Sequence, residues 1–413
     1  IVLLNSIFTF TNAFDMDKYL ANFVSSDFVI ANAKYFNSEY SARKEDLQES
    51  NLTESFIEAC EEQEGFEKGG RIYAATDQVG VKISDYKIPK NMPVNENGEL
   101  CWMWNGEKIP VTKLNEENYQ TMYYGVDDFL FEKMKVYEGE KDLDVIKEKL
   151  ATGNYLLYAV STDDNGMVRK EDMVHHAGDK VTLSFPNGEE REVEIISVIK
   201  ENYYGLSTRY SVIFPYYTTA EVFRKDLSED YLMSYSFDVR DDREEAIQQF
   251  VKNYSEKTEP TMNYESKLKW SNEFESLKGM FTIIGCFLTF VVAVIGILNF
   301  INAILTSIVT RLRELAMLES IGMTKKQIIK MLTLEGIYYA GFTMISSLLI
   351  GMLMSVTILR VLTSQIWFMK YQFVIWPMLV TFPFLLVLGW LVPKAAYHFQ
   401  GKKSMIEQLK NAD

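Results

Sequence analysis

Three long runs without a charged side chain dominate the C-terminal third of the chain. They cover residues 279–310, 337–359 and 371–393, with lengths of 32, 23 and 23 residues. A helix needs about 20 apolar residues to cross the hydrocarbon core of a bilayer. The pattern therefore predicts three transmembrane helices, rather than three buried helices of a soluble core.

The first 14 residues are also uncharged, but they are too few to span a bilayer. They carry neither a basic n-region nor an A-x-A cleavage motif, which argues against a signal peptide. We expect residues 1–14 to be the outer end of a first transmembrane helix that is truncated in this sequence.

Basic residues in short loops predict the orientation, because such loops stay on the cytoplasmic side. Lys and Arg are concentrated in residues 311–335 and in the tail, 395–413, whereas the loop 361–370 has them only at its margins. The large region 15–262 then lies outside. The expected fold is a polytopic α-helical membrane protein with four spans per unit and a large α/β extracytoplasmic domain.

The outer region, 15–262, has the pattern of a folded α/β domain. Apolar and polar residues alternate over 178–200 around Pro186-Asn187-Gly188, which predicts a β-hairpin. Two further strands and three helices are predicted at Tyr155–Val160, Tyr231–Val239, Leu52–Glu62, Leu143–Leu150 and from near Asp242 through Tyr254.

A helical stalk is predicted before the second span. Neither Pro nor Gly occurs between residues 264 and 278, so stalk and span should form one segment, 263–310. The alternative is a plain amphipathic helix that packs on the outer domain. Four large apolar residues share one face of this helix: Trp270, Phe274, Leu277 and Phe281.

The elbow, defined as residues 311–335, predicts two helices joined by a turn. Gly322 should end the first helix, because glycine tolerates the left-handed conformation that follows helix C-termini. Thr324 and Gln327 match a capping box, so the second helix should start there and run into the third span, 336–360. The alternative is an ordinary basic loop with a helix lying on the lipid surface.

Charge divides the chain into two parts. The net charge is −15 over 413 residues, yet the last 135 residues hold 11 basic and 5 acidic groups, which leaves 31 basic and 52 acidic groups in the rest. The acidic outer part would repel phosphate, so nucleic-acid binding is excluded.

Residues that could bind a metal or form a disulfide are few. His175 and His176 are adjacent, and adjacent side chains do not easily converge on one ion, so we expect no metal site. Cys60 and Cys101 both lie in the outer region, and a disulfide between them remains open.

No catalytic motif is present. The segment nearest to a P-loop, Gly401-Lys402-Lys403, has Ala396 at the first glycine position and lacks the Ser or Thr. We therefore expect no ATPase site, no catalytic residues and no cofactor bound by this chain, which would not be an enzyme.

Two groups of residues within the spans are expected to serve helix packing. Asn299 and Asn302 share one face, and Ser347, Gly351 and Ser355 recur at every fourth position. Charges are absent from the span centres, so an ion relay is not expected.

The elbow resembles the signature of the FtsX-like/MacB permease family, in which a segment R-x-R-E-L-A-x-L-x-x-I-G-M-T-x-x-Q-I follows the second span. The order of parts is similar as well: one span, a large outer domain, three spans of which the last is 371–394, and a short tail. The GDKVTL start of the hairpin also resembles the outer domain of MacB-type permeases. The chain would be one permease unit, or the second repeat of a longer duplicated permease.

This resemblance implies the permease subunit of an ATP-driven mechanotransmission exporter in the cell membrane. Its partners would be a separate ABC-type ATP-binding subunit, which binds the ATP, and a second permease unit, as a homodimer or as another repeat. Leu315, Leu318 and Ile321 would insert into the ATPase, with Arg313 and Glu314 fixing the register. The whole coupling region would be Arg311, Arg313, Glu314, Leu315, Leu318, Ile321, Gly322, Thr324 and Gln327.

Two other functions remain open. An FtsX-like regulatory scaffold would transmit ATP-driven motion to an extracellular cell-wall hydrolase or a sensor kinase. A membrane-bound enzyme or receptor unrelated to ATP would need catalytic chemistry in residues 15–262, where none is evident.

Overall fold

The computed structural model divides into two compact units. The outer unit is Asp17–Glu273, and the membrane unit combines Ile1–Met16 with Phe274–Asp413. The structure describes residues 1–37, 40–49, 52–85, 93–104, 107–163, 165–170, 173–201, 205–208, 215–229 and 232–400, of which 102, 104, 399 and 400 by backbone only. The predicted tail beyond residue 400, with Gly401, Lys402 and Lys403, lies outside the described residues.

Fourteen strands are present in the described part of the outer unit. They are β1 Phe28–Asn32, β2 Phe66–Ala75, β3 Gly80–Lys82, β4 Cys101–Trp104, β5 Glu107–Pro110, β6 Asn118–Gln120, β7 Met122–Val126, β8 Lys135–Gly139, β9 Tyr155–Val160, β10 Lys180–Ser184, β11 Glu190–Lys200, β12 Pro215–Thr219, β13 Leu232–Val239 and β14 Met262–Ser266.

Thirteen α-helices are described along the chain. They are α1 Val2–Asn12, α2 Met16–Phe23, α3 Lys44–Glu49, α4 Glu54–Glu61, α5 Asp128–Phe131, α6 Leu143–Leu150, α7 Ala220–Asp226, α8 Glu244–Lys257, α9 Lys267–Thr310, α10 Leu312–Ser320, α11 Lys325–Met354, α12 Arg360–Ser364 and α13 Trp376–Gln400. A π-helical turn, Ser355–Leu359, joins α11 to α12.

One mixed sheet of twelve strands organises the outer unit. Its order is β14-β1-β13-β2-β7-β12-β9-β11-β10-β3-β6, and β8 pairs with β11. β12 runs parallel to β7 and β9 parallel to β11, whereas the other pairings are antiparallel. β4 and β5 form a separate two-stranded sheet. The outer unit is therefore the α/β domain that the sequence pattern predicts.

Buried tyrosines form much of the core of the outer unit, and their hydroxyl groups have partners. Tyr123 donates to Asp226 over 2.6 Å, and Tyr235 donates to Glu61 over 2.7 Å. Such partners matter because a buried hydroxyl without a hydrogen bond costs about 1–3 kcal/mol. The fully buried tyrosines are Tyr73, Tyr123, Tyr124, Tyr216, Tyr217 and Tyr235.

Several local predictions for the outer domain are confirmed. β10 and β11 form the hairpin, with Gly188 at φ +81° in the turn. β9 and α6 have the predicted bounds, and α4 and α8 lie within two or three residues of theirs. β13 matches the predicted strand from Leu232 onward, while residue 231 lies outside the described residues.

The predicted boundary between domain and stalk needs correction. Residues 263–266 belong to β14, which pairs with β1, so the helix begins only at Lys267. The apolar spacing that predicts a stalk does not show where the strand ends. The helix is otherwise continuous from Lys267 to Thr310, which confirms one segment for the rest of stalk and span.

Three helices are long and apolar enough to cross a membrane: Lys267–Thr310, Lys325–Ser364 and Trp376–His398. The third predicted span continues past residue 360 to Ser364. The fourth predicted span begins as a helix at Trp376 rather than at residue 371, because Pro377 favours a helix start. Tyr371 lies before this helix, and its hydroxyl is hydrogen-bonded to Ser355 over 2.9 Å. The predicted outer loop is therefore displaced to 365–375.

The adjacent histidines have separate environments. His175 is buried, and its Nε2 shares a hydrogen bond of 2.7 Å with the Tyr216 hydroxyl. His176 is exposed, and its Nδ1 lies 3.2 Å from Glu138. Burial lowers the pKa of His175 to about 4, while the charge of Asp179 opposes this shift. Cys60 and Cys101 are both free thiols, so they form no disulfide in this structure.

The His175 environment predicts a pH dependence of stability. An unfolded histidine titrates near pH 6.5, so between pH 6.5 and 4 the unfolded state binds more protons and the free energy of unfolding falls as the pH falls. We expect a loss on the order of 3 kcal/mol, measured by urea unfolding of the full chain in detergent with near-ultraviolet circular dichroism. His175→Gln should flatten this slope and His176→Gln should keep it; equal slopes in both would contradict the assignment.

Candidate functional site

The elbow folds as two helices with a tight turn, as the sequence predicts. α10 ends at Ser320, and Gly322 adopts φ +111°, a conformation that side chains with a Cβ rarely adopt. The Met323 N–H donates to the carbonyl of Leu318 over 3.0 Å, which closes the turn. The chain can therefore reverse direction within four residues before α11 begins.

A capping box starts α11. Gln327 N–H donates to Thr324 Oγ1 over 3.4 Å, while Thr324 N–H donates to Gln327 Oε1 over 2.8 Å. These reciprocal bonds satisfy main-chain donors that a helix start leaves without partners. Thr324 and Gln327 are thus structural residues of the elbow, and the predicted capping box is confirmed.

Leu315 is buried within the membrane unit. Its side chain is 3% exposed and belongs to a cluster formed by α9, α10, α11 and α13, with Leu318 partly buried against it. The other buried members are Ile304, Ile308, Ile328, Leu332, Val392 and Ala396. Leu315 is therefore unavailable for insertion into a partner, which corrects the expectation for this residue, and Leu318 is at most partly available.

Arg311 lies between the helices of the elbow. Its Nη1 is 3.1 Å from both carboxylate oxygens of Glu335 on α11, and its Nε is 3.2 Å from Glu314 on α10. A guanidinium presents its donors in a rigid fork, so it can engage two carboxylates at fixed angles. Arg311 and Glu314, both predicted to dock on a partner, form an ion pair with each other, and their docking role stays a prediction. The ion pair between Arg311 and Glu335 was not predicted, because the two residues are 24 positions apart in the sequence.

An exposed apolar face remains on the opposite side of α10. Met317 is 58% exposed and Ile321 is 84% exposed, and Arg313 is exposed one turn before them. These residues recur at every fourth position, so they share one face of the helix. Ile321 was predicted as a docking residue, whereas Met317, one turn before it on the same face, was not singled out by the sequence analysis. We call Arg313, Met317 and Ile321 the elbow face.

The predicted packing residues have different surroundings. Gly351 contacts Met378, since a Cβ added at Gly351 would lie 2.1 Å from its Cε. Ser355 is buried and hydrogen-bonded to Tyr371, and Ser347 is half-buried. Asn299 and Asn302 are exposed on α9, so their packing partner would lie outside the described chain. Their role stays a prediction.

A second close contact, between Gly336 on α11 and Gly389 on α13, was not predicted. A Cβ at Gly336 would lie 2.2 Å from the Gly389 carbonyl oxygen, and a Cβ at Gly389 would lie 2.6 Å from the Gly336 oxygen. The two backbones therefore touch, as glycines in membrane helices permit. The contact lies next to Glu335, so it holds α13 at the inner start of α11.

Part of the chain is similar to a known protein family. Residues 286–402 match the family described as FtsX-like permease C-terminal. No curated protein matches the sequence.

Two solved structures with similarity to this chain are extracytoplasmic regions of other proteins. The periplasmic region of MacB from Actinobacillus actinomycetemcomitans is 11% identical, covering 60% of this chain and 92% of its own length, with a TM-score of 0.32. The extracellular domain of the noncanonic ABC-type transporter YknZ from Gram-positive bacteria is 11% identical, covering 58% and 100%, with a TM-score of 0.29.

The family match covers most of α9, all of α10 to α12 and all of α13. It therefore includes the elbow face, the Arg311 ion pairs and the glycine contact. Residues 286–402 therefore match an FtsX-like permease C-terminal domain.

Proposed function

We propose that this chain is the permease subunit of an ATP-driven mechanotransmission exporter. A separate ABC-type subunit would bind and hydrolyse ATP, and the elbow would receive its movement. The observation that carries this proposal is the elbow face, an exposed apolar surface on a helix whose other side is fixed in a core. A large apolar side chain exposed beside basic residues is typical of a surface that a partner covers.

The docking surface would be smaller than the sequence pattern suggests. Leu315 holds α10 against α9, α11 and α13, and Arg311 ties α10 to α11. Met317 and Ile321 would enter the ATPase, with Arg313 beside them. Because the buried side of α10 is packed against α9, α11 and α13, a partner that pushes on the elbow face would move these helices as well as the elbow.

The stalk provides a route from the elbow to the outer unit. α9 is a single helix of 44 residues, which gives a length of about 66 Å at 1.5 Å per residue. Its inner end contributes Ile304 and Ile308 to the cluster around Leu315. A displacement of the elbow would thus act directly on a helix that continues into the outer unit.

We expect charged substitutions on the elbow face to prevent capture of the ATPase. Ile321→Asp and Met317→Asp would each place a carboxylate in an apolar contact, and loss of one large apolar side chain alone is worth about 1.5–3 kcal/mol. The measurement is affinity purification of the full parent protein from native membranes in mild detergent, followed by mass spectrometry. A P-loop ATPase should accompany the wild type, and its yield should fall at least about tenfold in both variants.

Matched controls separate docking from folding. Ile109→Asp and Met167→Asp change exposed residues of the same types in the outer unit and should retain the ATPase. Leu315→Asp should lower the melting temperature of the membrane unit as well as the yield, because it opens the elbow core. Wild-type yields from both elbow-face variants would contradict the docking assignment.

A second permease unit would pack on α9. Asn299 and Asn302 place two carboxamides on an exposed helix surface within an apolar span, where polar side chains hydrogen-bond between helices. The double variant Asn299→Leu/Asn302→Leu should reduce self-association in lipid nanodiscs by several-fold, measured by cross-linking. Leu298→Val on the same helix serves as the control, and unchanged cross-linking of the double variant would exclude this surface.

A further inference from the structure

A small cavity lies within the outer unit. Its volume is about 60 Å³, and one water needs roughly 10–15 Å³ on the same measure, so a group of a few heavy atoms fits. Several separate segments of the chain contribute to its wall. The lining residues that matter here are Ser41, Arg43, Thr76, Thr112, Gln120 and Thr121.

The inner wall of the cavity carries buried polar side chains. Thr76, Gln120 and Thr121 are 8%, 6% and 0% exposed. Thr76 Oγ1 donates to the Ser41 carbonyl over 2.5 Å, and Thr121 Oγ1 donates to the Val79 carbonyl over 2.8 Å. Both hydroxyl protons are therefore committed to main-chain carbonyls, so these two threonines hold the wall in place and donate nothing to a ligand.

Gln120 differs from these two threonines. Its carboxamide makes no side-chain hydrogen bond to any residue in the described ranges, although it is more than nine-tenths buried. The Gln120 amide offers two donors and one acceptor to a polar group in the cavity.

Arg43 supplies a positive charge at the cavity. Its side chain is exposed, and its guanidinium has no ion pair or hydrogen bond with the part of the chain that is described. The five donors of Arg43 therefore remain available for a ligand.

The loop that carries Arg43 is held in an uncommon conformation. Ala42 is buried at φ +53°, a left-handed conformation that strains a residue with a Cβ. Thr76 N–H donates to the Ala42 carbonyl over 3.2 Å, and Asp46 accepts from the Arg43 N–H over 3.3 Å. The strain is thus maintained by hydrogen bonds from both sides, which position Arg43 at the cavity.

We propose that this cavity binds the carboxylate group of a small ligand or of a peptide C-terminus. A guanidinium matches a planar carboxylate with two parallel hydrogen bonds, and the Gln120 amide can donate a third. One arginine neutralises a single negative charge. Asp46 lies beside the same loop, so a divalent phosphate would meet repulsion that a monovalent carboxylate largely avoids.

The experiment is a titration of the full chain in lipid nanodiscs, followed by saturation-transfer NMR. The probes are N-acetylglycine and its neutral amide, N-acetylglycinamide, together with inorganic phosphate. We expect saturable binding of N-acetylglycine and at least about tenfold weaker binding of the amide and of phosphate, since a hydrogen bond to a charged group is worth this much. Equal binding of acid and amide, tighter binding of phosphate, or no saturable binding would overturn the proposal.

Variants test the residues. Arg43→Gln and Gln120→Leu should each weaken N-acetylglycine binding at least about fivefold while circular dichroism and the melting temperature of Arg43→Gln stay at wild-type values. Arg169→Gln removes another exposed arginine of the outer unit and should leave binding unchanged. If Arg43→Gln and Arg169→Gln weakened N-acetylglycine binding equally, the loss would reflect the net charge of the outer unit, and the proposed site would be wrong.

A last comparison separates the two sources of the carboxylate. N-acetyl-triglycine and its C-terminal amide extend the probe away from the carboxylate. Tighter binding of the longer acid supports a peptide C-terminus, and equal binding of the two acids supports a small free carboxylate. The site is independent of ATPase docking, so this experiment stands whether or not the elbow assignment holds.

Discussion

The burial of Leu315 holds α10 against three long helices of the membrane unit. Without that contact, α10 would be a short helix on a flexible connection, and α9 and α11 would meet only through the chain. With it, the inner ends of three long helices share one apolar cluster. Arg311 also links α10 to α11, because its two carboxylate partners lie on these two helices. In our proposal, a force on α10 would therefore be passed on to the helices that pack against it.

The glycine contact extends this coupling to α13. Gly336 and Gly389 bring two backbones into contact one residue after the Arg311 partner, Glu335. Backbone contacts are stiff, since no side-chain rotamer can relax between them. The arrangement thus concentrates its rigid joints at the inner ends of the spans, where a partner ATPase would act in our proposal, and leaves the middle of α9 exposed for another helix.

The sequence predicts features whose cause is local. Gly322 and the Thr324–Gln327 capping box follow from main-chain geometry within a few residues, and the hairpin around Gly188 follows from its turn. The side of α10 that is buried could not be predicted, because it is chosen by Val392 and Ala396 from a distant helix. An amphipathic pattern shows that one face is apolar, but not whether the chain itself or a partner covers it.

The strand β14 and the cavity at Arg43 also depend on contacts between distant segments, which the local sequence pattern does not show. β14 forms because β1 offers an edge for pairing, although the local pattern also suits a helix. The cavity is lined by Arg43, Thr76 and Gln120, which come from segments more than 30 residues apart. No local sequence motif could therefore predict it. Both features depend on sheet order, which arises from long-range packing rather than from the periodicity of one segment.

The central claim is that ATP-driven movement at the elbow reaches the outer unit through α9. The most direct measurement is hydrogen–deuterium exchange of the permease with its partner ATPase in nanodiscs, with and without a non-hydrolysable ATP analogue. The account predicts nucleotide-dependent changes in the elbow, in residues 267–278 and in the outer unit. Ser276→Pro, which breaks α9 at an exposed position, should confine these changes to the elbow, while Ser276→Ala should not. A wild-type response limited to the elbow would contradict the claim.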